Sequence, residues 1–235
     1  MINRKVVIYT FLNFIFCISA FAQGSIQGKV TFNGKAPLVK VIRMDADAIC
    51  LAKQKDAQYA QTFVLGEGNT LGNVFVYIKN INNKNKYPVP AEPAVLDQKG
   101  CNYSPHVMVV RVGQKVKIFN PDGTLHNVHA QCKINPEFNA AMPNYRTEME
   151  KVFDKPESMF PIRCDVHPWM MAWMAVIDYP FFAVTRMDGQ FEIKNLPAGT
   201  YEIEAWHEKL GIQTAKVTVA DGAQEKIDFT FSAPK

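Results

Sequence analysis

The chain is poor in the side chains that bind metals and cofactors. It has five histidines and five cysteines in 235 residues. Beyond residue 22 it has no apolar run long enough to cross a bilayer, which takes about 20 residues. That argues against stable membrane insertion. It has no heptad repeat and no low-complexity tract, so neither a coiled coil nor a compositionally biased tail is expected. No helical pattern reaches three turns, which excludes a helix bundle. Charge of either sign is also scarce: 26 basic residues face 22 acidic ones, a net charge of +4. So balanced a chain offers no electrostatic footprint for nucleic acid or for an anionic membrane surface. The 48% hydrophobic content is that of a globular protein, not a disordered one.

What is there begins with the N-terminus. Asn3-Arg4-Lys5 is a short basic region, Val6 to Ser19 is an uncharged apolar core, and Ala20-Phe21-Ala22 is a small-x-small cleavage pattern. This predicts a secretory signal peptide over residues 1–22 and an exported, periplasmic or secreted protein. Losing Arg4 and Lys5 leaves 24 basic residues against 22 acidic, close to neutrality. An oxidising compartment allows disulfides. Four cysteines remain after cleavage: Cys50, Cys101, Cys132 and Cys164. Cys50 and Cys101 are the preferred pair. Each lies at the edge of an ordered stretch, far in sequence from Cys164. The pairing itself is not settled by sequence. Cys132 is then a free thiol.

The remainder reads as short strands. Ser25 to Phe32 alternates and ends at the hairpin signal Asn33-Gly34. Asn73 to Ile81, Pro105 to Val112 and Lys115 to Asn120 are β-rich runs, and Asp45 to Tyr59 is the one weak helical stretch. Phe138 to Lys151 reads as polar and irregular. Ser158 to Ile162 and Met174 to Tyr179 flank the stretch Cys164–Met171, and Pro180 marks a boundary. Beyond it, turn signals recur about every ten residues, as in a β-sandwich. The expected fold is all-β, two sandwiches in series: residues 23–179 (core about 70–179) and 180–235. The strand pair near 25–40 is compatible with either.

Chemistry concentrates in Arg163-Cys164-Asp165-Val166-His167-Pro168-Trp169-Met170-Met171. The spacing C-x2-H-x2-M brings a thiol, an imidazole and a thioether within seven residues. Soft sulfur ligands suit copper. Two histidines and one cysteine in a trigonal set with a weak axial methionine make a blue-copper site. The second histidine is sought upstream, and Leu125-His126-Asn127-Val128-His129 follows the turn Asp122-Gly123. His129 falls on the opposite strand face from His126 and is read as structural. His106, at the start of a valine-rich strand, is read likewise. Zinc also takes Cys and His, but a methionine donor disfavours it.

His126-Asn127-Val128-His129 together with Cys164-x-x-His167-Pro168-Trp169-Met170 resembles the cupredoxins, most closely amicyanin and the plastocyanin-like "methylamine utilisation" group, over roughly residues 70–180. The resemblance implies a cupredoxin-like Greek-key β-sandwich holding one copper per chain. It implies His126, Cys164 and His167 as equatorial ligands, Met170 as the axial one, and Asn127 hydrogen-bonding across to brace the cysteine loop. Met171 competes with Met170 for the axial place. Asp165 departs from the neutral residue usual after the cysteine, and its charge would disfavour reduction. A filled site has no open position for substrate, so no enzyme is expected. The expectation is a one-electron carrier whose exit is the outer edge of His167. Pro168, Trp169 and Met171 would form an apolar docking patch for a transient redox partner, a cytochrome or an exported oxidoreductase. A copper-handling or storage protein and a non-redox cell-surface binding module are the alternatives. Asp188-Gly189-Gln190-Phe191 and Leu196-Pro197-Ala198-Gly199-Thr200-Tyr201 are similar to carboxypeptidase regulatory-like, transthyretin-like sandwiches, which implies a rigid second module. Trp206-His207-Glu208 reads either as a strand end with a surface His and Glu, or as an edge packed against the metal loop.

Overall fold

A computed structural model of the chain describes residues 23–79, 81 and 87–233. The signal-peptide reading of residues 1–22 lies outside the described residues. The protein is all-β. Its strands are β1 (Gly24–Asn33), β2 (Phe75–Ile78), β3 (Ala94–Asp97), β4 (Val107–Arg111), β5 (Lys115–Phe119), β6 (His126–Ala130), β7 (Phe138–Met142), β8 (Glu148–Val152), β9 (Glu157–Arg163), β10 (Met171–Ile177), β11 (Phe182–Val184), β12 (Gln190–Leu196), β13 (Gly199–His207), β14 (Gly211–Val219), β15 (Gln224–Lys226) and β16 (Phe229–Ser232). A single short α-helix, α1 (Ala48–Lys53), is found among the described residues. None of their helices is long and apolar enough to cross a membrane.

Two cores follow from the pairing. In the first unit a sheet ordered β4-β10-β9-β6-β7 faces a sheet β3-β5-β8. Met108, Val128, Phe160, Ile162 and Met174 from one meet Leu96, Val116, Ile118 and Met149 from the other. In the second unit β12-β1-β15, with β16 on β1, faces β11-β2-β13-β14, around Ile26, Val30, Val76, Phe191, Ile203 and Phe231. The boundary read at residue 180 does not follow this pairing. β1 bonds to β12, β15 and β16, and β2 lies between β11 and β13. β1 and β2 thus complete the C-terminal sandwich, while Ile42, Met44 and Cys50, between them in sequence, pack into the first core. Strand pairing is set by which faces bury together, not by order in the chain.

The stretch read as irregular, 138–151, forms β7 and most of β8. β8 pairs with β5 through cross-strand charges: Lys117 lies 3.1 Å from Glu148, and Lys115 lies 3.3 Å from Glu150. Opposite charges facing each other stabilise a pair of strands. They also make the sequence look like loop.

The two units meet along β4 and β10 on one side and β2, β11 and β13 on the other, where Phe75, Val107, Ala175 and Ile177 are buried together. Trp173 and Trp206 pack edge to face, 5.2 Å between ring centroids. Trp206-His207-Glu208 is not a surface end. His207 is buried, and Glu208 bonds to His106, whose Nδ1 sits 3.1 Å from the Met171 carbonyl. This edge of the second unit reaches the backbone at the end of the metal loop.

Candidate metal centre

β6 and β9 are antiparallel neighbours, with His129 opposite Arg163 and Ala130 opposite Ile162. His126, the first residue of β6, therefore lies beside the loop that leaves β9 at Cys164. Before β6 the chain turns at Gly123, whose φ of 74° is strained for other residues. Asn120 holds that turn, its Nδ2 donating to the Thr124 and Met142 carbonyls at 2.9 and 2.7 Å. The Cys164–Met170 loop is closed by two backbone bonds: Cys164 N–H to the Met170 carbonyl at 3.2 Å, and Met170 N–H to the His167 carbonyl at 2.9 Å.

This places three donors together. One ligand atom from each of His126, Cys164 and His167 lies within 4.8 Å of the others, and all three residues are buried. His126 Nδ1 is 2.9 Å from His167 Nδ1, which is 3.7 Å from Cys164 Sγ. The outer ring nitrogens are occupied elsewhere. His126 Nε2 lies 3.1 Å from Asp122 Oδ2, and His167 Nε2 lies 3.1 Å from Asp47 Oδ2. Carboxylates on the outer nitrogens orient both rings. The inner nitrogens face one another next to a sulfur, and with the proton on the outer nitrogen each can hold a cation. Burial alone would raise the Cys164 thiol. Hydrogen bonds from His126 and from the backbone at Asn127, His167 and Val166 instead hold it below its ordinary value. The donor set, two imidazoles and a thiolate, fits copper. Met170 is fully buried in the same core as Cys164. Met171 begins β10 and is half-buried.

Asn127 spans from β6 to the loop. Its Oδ1 accepts from the Asp165 and Val166 amides, at 2.6 and 3.3 Å, and its Nδ2 donates to Asn139 and Asp165. Asp165 points away from the donors. Its side chain is half exposed, and His129 beside it holds its carboxyl below the usual range. His129 is outside the cluster and also bonds Glu137 at 2.7 Å. Tyr103 ties the two strands at their ends, donating to the Asn127 carbonyl and, at 3.2 Å, to that of Arg163.

A family model described as "Polysaccharide lyase family 4, domain II" matches residues 166–227, less than half the chain. That is where a carboxypeptidase regulatory-like module was expected, and the matching model is a different one. No curated protein matches. Similar solved structures include a copper-containing nitrite reductase from Thermus scotoductus SA-01, at 18% identity over 43% of this chain and 25% of that one, TM-score 0.34. The chain thus spans a quarter of that enzyme's length. A copper(I) amicyanin variant aligns at 19% identity over 43% of this chain and 97% of its own, TM-score 0.33. A purple cupredoxin from Nitrosopumilus maritimus aligns at 23% over 35% and 98%, TM-score 0.30.

Three features of the centre escaped the sequence. The first is Asp122, read only as part of a turn. Its carboxylate accepts from the Gly100 and Cys101 amides at 2.9 and 2.7 Å, from His126, and from Lys53 at 3.2 Å. Burial opposes its ionisation, but His126, these amides and Lys53 hold its carboxyl at about 2. The spacing Asp122-x3-His126 was the available signal. The second is Asp47, 120 residues from His167. One of its oxygens caps α1 through the Ile49 and Cys50 amides, and the other meets Thr124 and His167. The third is the place of the disulfide, whose pairing is the preferred one but whose nearness to the centre was not read. Cys50 and Cys101 are bonded to each other, and Cys50 Sγ lies 3.7 Å from His167 Nε2. The pair is remote from the metal loop only in sequence. As a result the outer edge of His167 is not a surface. The residue is 2% exposed, under Asp47 and the disulfide. Pro168 is exposed, and Trp169 is half-buried with its ring centroid 4.9 Å from that of His167. Cys132 is a free, buried thiol, pushed up to about 12 by burial.

Replacing Asp122 by asparagine is expected to weaken copper binding about 10–100-fold, the usual cost of removing a hydrogen-bond partner from a metal-binding histidine. Metal-free stability should fall by about 1–3 kcal/mol, because buried amides lose a charged acceptor. Competition titration and urea unfolding read the two effects separately. Unchanged copper affinity in the variant would mean that β6 alone orients His126.

Proposed function

We propose that this chain is an exported protein that binds one copper ion and carries single electrons rather than catalysing a reaction. His126 Nδ1, His167 Nδ1 and Cys164 Sγ are the principal donors and Met170 the fourth. The observation that carries the reading is the pair of inner imidazole nitrogens facing each other at 2.9 Å beside a buried cysteine, with both outer nitrogens held by carboxylates. Copper bound there would supply a one-electron couple.

The chain's own residues keep that site rigid and dry. Asp47 and Asp122 hold the ring orientations, Asn127 and Tyr103 hold the cysteine loop, and the donor residues are at most 3% exposed. Rigid donors reorganise little when charge changes, which favours rapid electron transfer. Their burial leaves no room beside the metal for a substrate, which supports a carrier over an enzyme. With His167 covered, Trp169 offers the route outward. Its ring packs on His167, its Nε1 donates to the Cys101 carbonyl at 3.0 Å, and one part of it reaches solvent beside Pro168. A transient redox protein docking over Pro168, Trp169 and Met171 would make a small contact, typically under about 1,200 Å².

The test is the visible and EPR spectrum of the mature protein loaded with Cu(II). An intense blue colour, bleached by reductant, is expected. Cys164→Ser should abolish the colour and lower Cu(II) affinity by more than about 100-fold, above the cost of losing a ligand's hydrogen-bond partner. A colourless copper-loaded protein whose Cys164→Ser variant binds as tightly would overturn the reading. Several coppers per chain in the oxidised protein would point to storage.

A further inference from the structure

The imidazoles of the centre look two ways. Their inner nitrogens face Cys164, but their outer nitrogens face a second group of donors. Asp47, Cys50 and His167 each have a ligand atom within 4.8 Å of the others, and so do Cys101, Asp122 and His126. The two groups are joined through the Cys50–Cys101 bond, so two buried sulfurs, the buried Asp122 and the half-buried Asp47 share one region behind the histidines. While the sulfurs are bonded to each other they are poor ligands, because the metal-binding form is the thiolate.

We propose that this disulfide masks a second metal site. When it is reduced, the Cys50 and Cys101 thiolates hold one thiophilic closed-shell ion, Cu(I), with Asp47 and Asp122 at its flanks. The backbone keeps the two sulfurs together after reduction, since their Cα atoms are 5.6 Å apart. Lys53, 3.2 Å from Asp122, offsets part of the negative charge. Access is through α1. It is a six-residue helix with Ile49 and Leu51 half exposed, held at its start by Asp47 and at its middle by Cys50. So short a helix has little stability of its own and opens locally. The reductant is a dithiol. It transfers two electrons and two protons to the disulfide and leaves as its own disulfide. Cu(I) then displaces the two thiol protons to solvent, with no change in its oxidation state. Soft thiolate pairs select Cu(I).

The test compares copper bound per chain at controlled Cu(I), without oxygen, before and after treatment with a dithiol that is then removed. About one ion is expected in the oxidised protein and about two in the reduced one. Cys50→Ser/Cys101→Ser should hold about one in both states, and Cys132→Ser should behave as the parent. A reduced parent that holds only one ion overturns the proposal, as does loss of the second ion in Cys132→Ser. Because the double variant loses a cross-link, a footprint on the unaltered chain supplies an independent measure. In reduced protein, the second equivalent of Cu(I) should slow alkylation of Cys50 and Cys101 at least about tenfold, mapped by mass spectrometry. Equal alkylation rates with one and two equivalents would also overturn it. Failure of the electron-carrier reading gives a different pattern: oxidised protein then binds no copper, while the reduction-dependent ion remains in Cys164→Ser.

Discussion

Metal-free protein with Cys50→Ala/Cys101→Ala is expected to lose about 4 kcal/mol of stability, from the loop-closure entropy of a cross-link across 51 residues. For a chain of this size that lowers Tm by roughly 8–16 °C. Among its described residues the enclosed stretch has little regular structure to resist the loss. It contains most of α1, and the short strands β2 and β3, and α1 is too short to persist alone. The effect should extend to the centre. Asp47 is positioned by the α1 amides it caps, and it covers His167 Nε2. Once Cys50 is released, His167 should become accessible to solvent and to a histidine-selective reagent, whereas His126, held by Asp122 from its own turn, should stay protected. Calorimetry with and without reductant, together with histidine modification mapped by mass spectrometry, measures both parts. A loss under about 1 kcal/mol would show that β-sheet packing, not the cross-link, holds residues 45–53 in place. In reduced parent protein, Cu(I) at the thiolate pair would restore part of the lost stability, because a ligand that binds only the folded state stabilises it.

The second large effect is acid sensitivity arising in the C-terminal unit, away from the metal donors. His207 ends β13, packed against Phe63 and Phe231 at 5.5 and 6.2 Å between ring centroids. Its Nδ1 accepts from the Lys209 amide at 3.2 Å, so Nε2 carries the proton, and Nε2 has no partner. Burial is the chief reason that its pKa falls from 6.5 to about 4; His106 and Lys209 push the same way, and Glu208 opposes them. Between pH 6.5 and 4 the unfolded chain takes up a proton that the folded chain refuses. The stability from the neutral ring is therefore complete above pH 6.5 and is lost as pH falls toward 4, by up to about 3 kcal/mol. His207→Leu removes the titrating group. Urea unfolding at pH 7.5 and pH 4.5 should show the parent losing about 2.5 kcal/mol more than the variant. Equal losses in the two proteins would place the acid sensitivity elsewhere, with the buried carboxylates Asp122 and Glu157 the next groups to examine.

What sequence alone conveyed was local. Cys164, His167 and Met170 sit on one short loop, so their spacing is already a statement about distance. His126 was legible because a turn signal and a strand pattern preceded it, and the bracing role of Asn127 only through the family resemblance. The all-β class was legible from alternation and from turn residues recurring at short intervals. It failed at β7 and at β8, where Glu148 and Glu150 pair with lysines of β5 and so resemble a solvated loop.

The tertiary structure alone decided everything that depends on distant segments meeting. It put β1 and β2 into the C-terminal sandwich. It turned His207 and Glu208 inward and joined Glu208 to His106. It brought Asp47 and Cys50 onto His167 across 120 and 117 residues, converting an expected exit for electrons into a covered ligand. The reason is physical. Ligand spacing within a loop is limited by covalent geometry, which the sequence carries directly. Which carboxylate or sulfur covers a histidine's outer nitrogen depends on how two sheets and a short helix bury their apolar faces, and no local pattern of residues encodes that.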